Sequence, residues 1–151
     1  MRYLPAQAKE ALNISEETFR HWRRVLPPLK GRRGYGPCFT LADMLALKAV
    51  AALHGLGIQM RHLTPHAQAL FDACSQGAWF GLEDKVIAFD GSSLTLVPAF
   101  DVRSASEKAC VLVPLRPLIG ELRGALSDDE GTSAQSDIVF PPMGVGKARS
   151  A

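Results

Sequence analysis

The chain has 151 residues, a length that holds one ordinary domain, or a small domain with an appended module and a tail. Its apolar fraction of 47% and charged fraction of 21% are those of a globular protein. No apolar run approaches the roughly eighteen residues that span a bilayer, since the longest, Met44 to Leu53, is interrupted by Lys48.

The net charge of +2 hides a division, because ten Lys or Arg face four Asp or Glu up to residue 65, while seven face eleven from residue 66 onward. A basic portion of +6 followed by an acidic one of −4 points to a polyanion partner for the first. Nucleic acid leads and anionic membrane follows. No charged, apolar and small-residue succession at the start suggests export, so the expected compartment is the cytoplasm. Cys38, Cys74 and Cys110 are an odd set spaced 36 residues apart. They fit neither a disulfide framework nor paired metal knuckles, and are expected to be reduced thiols.

In chain order, Leu4 to Leu12 reads as a helix with Pro5 in its first turn, stopping at Asn13, which tolerates a left-handed backbone. Ser15 is a good N-cap for a second helix from about Glu16 to Leu26, ended by Pro27 and Pro28. Two short helices joined by three residues outline a helix-turn-helix. On the second, Phe19, Trp22 and Leu26 share a face, while Arg20 and Arg24 project opposite, flanked by His21 and Arg23. Taken alone this is a solvated helix with a Glu16–Arg20 pair. The segment "KGRRGYGPCF" then sets three cations, three glycines and a tyrosine in ten residues. It reads as a glycine-rich hairpin carrying Lys30, Arg32, Arg33 and Tyr35, the wing of a winged helix-turn-helix.

Thr40 should cap a third helix with Asp43 as capping-box partner, and the body "LADMLALKAVAALHG" is apolar nearly all round, hence buried. A fourth helix is expected over Thr64 to Ser75 with Leu70, Phe71 and Cys74 inward. After Gly77, two β-rich runs flank Asp90-Gly91, a hairpin signal, and "KACVLVPL" reads as a third strand. Residues 115 to 126 place Leu115, Leu118, Ile119, Leu122 and Leu126 on one helical stripe. That stripe suits either packing on its own sheet or dimerisation. From Ser127 to Ala151 the composition is that of a disordered tail.

The first part resembles the DNA-binding domain of the MerR-type regulators. Thr18, Phe19, Arg20, His21 and Trp22 match that family's recognition-helix signature. Gly34, Tyr35, Phe39, Thr40, Asp43 and Met44 match its wing and next helix start, and Leu56, Gly57 and Ile58 resemble the turn before its fourth helix. The likeness covers about residues 2 to 65. Arg23 stands where the family has an acidic residue, Gly36 and Pro37 replace a wing arginine, and the long pairing helix is missing.

The expected architecture is α+β. A winged helix-turn-helix over 1–76, mainly α with a β wing, precedes a small α+β module over 77–126, with a β-hairpin and a C-terminal helix, expected to dimerise or to bind a protein partner, and a tail over 127–151. The expected function is sequence-specific double-stranded DNA binding by a bacterial or phage transcriptional regulator acting as a homodimer. Arg20, Arg24 and Thr18 would read the roughly 12 Å wide major groove, with Ser15, His21 and Arg23 beside them. Lys30, Arg32, Arg33 and Tyr35 would follow the backbone or minor groove. About six neutralised phosphates imply a log K against log salt slope near −5. Two alternatives are an excisionase-like DNA-bending factor and an adaptor whose basic face meets acidic protein. His54, His62, His66 and Cys74 do not make a convincing metal set, because Thr64 and Pro65 interrupt any helical His pair. "GVGKARS" lacks the spacing of a phosphate loop. No nucleophile or metalloprotease signature appears, so neither enzyme activity nor a cofactor is expected.

Overall fold

Short-range signals place the first three helices. In the computed structural model, which describes residues 1–133 apart from Arg33, Tyr35 and Ser106, α1 spans Pro5–Leu12 and ends at Asn13 with φ 52°. The helix α2 spans Glu16–Val25, and the Ser15 hydroxyl accepts from the Thr18 amide at 3.1 Å. The next helix, α3, spans Leu41–Gly55. Its start carries the full reciprocal capping box: Asp43 N donates to Thr40 Oγ1 at 3.2 Å, and Thr40 N donates to Asp43 Oδ2 at 2.8 Å. As its composition demands, α3 is buried from Asp43 through Leu47 and again at Ala49, Val50 and Leu53.

The region expected as one helix from Thr64 is broken more finely. A turn of helix, α4 (Met60–Leu63), passes through a 3₁₀ turn at Thr64–His66 into α5 (Ala67–Ser75). Pro65 removes an amide that a continuous helix would need. Leu70, Phe71 and Cys74 do point inward. Burial pushes the Cys74 thiol up to about 12. Cys74 is therefore expected to resist a thiol reagent at pH 8 until the chain is unfolded, while the half-buried Cys38 and Cys110 react earlier; timed alkylation with mass spectrometry checks the order.

A single turn, α6 (Trp79–Leu82), precedes a three-stranded antiparallel sheet of β1 (Lys85–Phe89), β2 (Leu94–Pro98) and β3 (Val111–Pro114), in the order β2-β1-β3. Asp90 organises the hairpin by accepting from the Ser92 and Ser93 amides at 2.8 and 2.7 Å, bonds that hold its carboxyl well below the usual carboxylate range. In the register Ile87 lies opposite Leu96 and Val113, and these join Phe89 against the core. Short 3₁₀ turns over Ala99–Ala105 fold back onto β1 and β2.

The last helix, α7, spans Leu115–Ser133 and packs on α1, α3 and β1. Its extent corrects the expected tail: Ser127 to Ser133 continues the helix, and residues 134–151 lie outside the described residues. A second correction concerns dimerisation. Leu115, Ile119 and Leu122 are wholly buried in the chain's own core, with Leu118 and Leu126 nearly so, because α7 lays its stripe on α1, α3 and the sheet. One apolar cluster joins side chains from before and after residue 76, and His66 meets the Phe89 ring edge-on at 5.5 Å. The expected division into 1–76 and 77–126 is therefore not a division of the core. Among the described residues, no helix is long and apolar enough to cross a membrane.

Candidate nucleic-acid interface

The inner face of α2 is fixed before its outer face can matter. Phe19 and Trp22 are buried, Phe19 tilts against Phe39 at 5.6 Å, and Trp22 meets His54 edge-on at 6.3 Å. With that face held, helical geometry leaves Arg20, His21 and Arg24 exposed on the other. Among the described residues, Arg20 keeps only a long 4.0 Å approach to Glu16. Glu16 instead takes the Lys9 ammonium from α1 at 2.9 Å, chiefly on account of which its carboxyl titrates below the ordinary value.

After α2 the chain turns at Leu26, which is buried, and makes a 3₁₀ turn over Pro27–Leu29 whose last residue is buried too. Lys30 emerges exposed. The hairpin expected between Lys30 and Phe39 is not formed among the described residues. Phe39 instead bridges Tyr3 in antiparallel fashion, with Tyr3 N donating to Phe39 O at 2.7 Å and Cys38 N to Tyr3 O at 3.0 Å. The physical reason is competition from side chains. The Arg23 guanidinium donates to the carbonyl of Arg32 and, at 3.4 Å, to that of Gly34. The carbonyls of residues 32 and 34 are thereby directed to α2 rather than to a facing strand.

Arg32 is not a solvated finger either. Its guanidinium pairs with the buried Asp43 carboxylate and reaches Cys38 O at 3.3 Å. Arg23 and Arg32, expected at the DNA alongside Arg20 and Arg24, are both engaged by the protein's own oxygens while still lining a common groove with them. Asp43 was legible only as a capping residue; its second role as counter-ion is tertiary. Ser15 and Thr18 are also engaged, the Ser15 hydroxyl donating to Thr18 Oγ1 at 2.8 Å. Arg33 and Tyr35, also expected at the interface, lie outside the described residues.

A groove of about 520 Å³ opens between α2 and the following turn; Arg20, Arg23, Arg24, Lys30 and Arg32 line it, and among the described residues none of its walls is acidic. Among the described residues, Arg24 and Lys30 have no ion-pair partner. Such a cationic concavity attracts phosphate, carboxylate or sulfate groups. Across α2, a second hollow of about 390 Å³ is lined by Glu17, Thr18, His21, Trp22, His54, Gln59 and Met60, mixed in character and without the same concentration of charge. Among the described residues, no three His, Cys, Asp or Glu side chains gather into a metal-holding group. No protein-family model matches the chain, and comparison with curated proteins finds no match.

Proposed function

We propose that the protein is a sequence-specific double-stranded DNA-binding regulator of bacterial or phage type, with α2 as its recognition helix. The reading rests on one observation: Arg20, Arg24 and Lys30 stand exposed around a single groove on a helix whose opposite face is locked into the core. The helix presents two guanidinium forks that match the paired acceptors of guanine, and Lys30, exposed on the following turn, offers a cation to a phosphate strand. The resemblance of Thr18 to Trp22 to the MerR-type signature supports the same assignment.

Selection of bound sequences from a random duplex pool, followed by a salt titration on the winner, tests this reading. With Arg20, Arg24, Lys30 and Arg33 as the cations left to the duplex, log K falls against log salt with a slope of about −4, shallower than the −5 of six contacts. Failure to retain any duplex at about 50 mM salt refutes the assignment.

An excisionase-like, DNA-bending role gains from a specific observation, the burial of the α7 stripe inside one copy of the chain. Two copies on a dyad operator would have to meet elsewhere. A footprint without two-fold symmetry favours the architectural role.

A further inference from the structure

We infer that Arg23 and Arg32 are positioning residues, which hold the turn bearing Lys30 against α2 and so fix the shape of the cationic groove. This inference rests on the DNA-binding reading and departs from the assignment of both arginines as contacts.

The connections form one chain from α2 to α3. Arg23 leaves the helix with its guanidinium carbon 5.9 Å from the Phe19 ring centre and 6.0 Å from that of Phe39, a cation held against two aromatic faces. From there it donates to the carbonyls of Arg32 and Gly34. Arg32 carries the link onward through its own side chain to Asp43 and Cys38 O. Asp43 is itself immobilised, accepting from Thr40 N at 2.8 Å and Thr40 Oγ1 at 2.9 Å at the start of α3. The loop thus hangs between two helices by charge-assisted bonds, the stronger kind of hydrogen bond.

Burial separates these arginines from their neighbours. The Arg32 side chain is 32% exposed and its partner Asp43 8%, whereas the Arg20 side chain is 73% exposed. Each guanidinium commits one terminal nitrogen to two protein oxygens, which fixes the direction of the rest of the group. Its contribution to binding is to place other cations. Gly31, with φ +91° and no side chain to obstruct the groove, suits a turn held in this way.

Two measurements on R23Q and R32Q test the assignment. In duplex binding, R23Q or R32Q weakens affinity roughly tenfold or more on its own but adds little in a K30Q background, because what a positioning residue supplies is the placement of Lys30. A slope that becomes shallower by about one more when either variant is added to K30Q identifies a direct phosphate contact and overturns the inference. In the protein without DNA, tryptic cleavage after Lys30 should accelerate at least tenfold relative to cleavage after Arg103 in the same sample, which corrects for global opening. Unchanged cleavage after Lys30 also overturns it. Should the wild type bind no duplex, the functional reading fails and proteolysis alone decides the positioning role.

Discussion

The double reversal R20E/R24E should abolish duplex binding in a protein that still melts cooperatively, within a few degrees of the wild type. Both side chains project from the exposed face of α2, and neither belongs to the buried cluster, so the fold has little to lose. Among the described residues the only charge partner of Arg20 is Glu16 at 4.0 Å; the double reversal sets carboxylates at positions 16, 20 and 24, two i,i+4 repulsions of a few tenths of a kcal/mol each. At the groove the effect is far larger. Each lost contact costs about 1–3 kcal/mol, and a carboxylate in its place repels the strand, so the pair together lowers affinity by more than about 100-fold. Fluorescence anisotropy with a selected duplex, beside a thermal melt by circular dichroism, separates binding from folding. Retained affinity in the folded variant would show that α2 does not face the nucleic acid.

What makes that experiment clean is also what was legible in the sequence. The boundaries of α1, α2 and α3 are set by residues acting within a few positions: the left-handed Asn13, the Ser15 cap, the Pro27-Pro28 stop, and the reciprocal box of Thr40 and Asp43. Helical periodicity then separates Phe19 and Trp22 from Arg20 and Arg24 without any knowledge of the partner surface. The Asp90-Gly91 turn and the alternation of Leu94 and Leu96 place the hairpin for the same local reason. Short elements escaped. Trp79–Leu82 and Ala99–Ala105 are too brief to show a period, and Ser127 to Ser133 continues α7 although its polar composition carries no apolar stripe.

The basic loop shows a different limit. Its glycines and cations have the composition of a wing, yet whether carbonyls 32 and 34 meet another strand or Arg23 depends on a side chain nine to eleven residues away. Whether Arg32 faces phosphate or Asp43 depends on a carboxylate eleven residues ahead. Charge counted along the chain therefore overstated the cations available at the surface. Of the six Lys or Arg between residues 13 and 36, two are engaged by the protein's own oxygens. The predicted salt slope is correspondingly shallower.

The α7 stripe supplies the second large effect. Leu122 is wholly buried, and α7 is further fastened by Lys48 of α3 reaching Glu121 at 2.9 Å. Truncation to alanine at such a site costs about 2–5 kcal/mol, already a large part of the 5–15 kcal/mol that stabilises an ordinary domain. In L122D the side chain must also bury a carboxyl group without a designed partner, at a further cost of several kcal/mol. The variant is expected to lose its cooperative melt and its helical circular dichroism, whereas S127D, at an exposed position on the same helix, melts as the wild type does. A stripe that paired two copies would behave differently: L122D would stay folded and sediment at half the mass. That outcome would place these leucines on a surface and contradict the core described here.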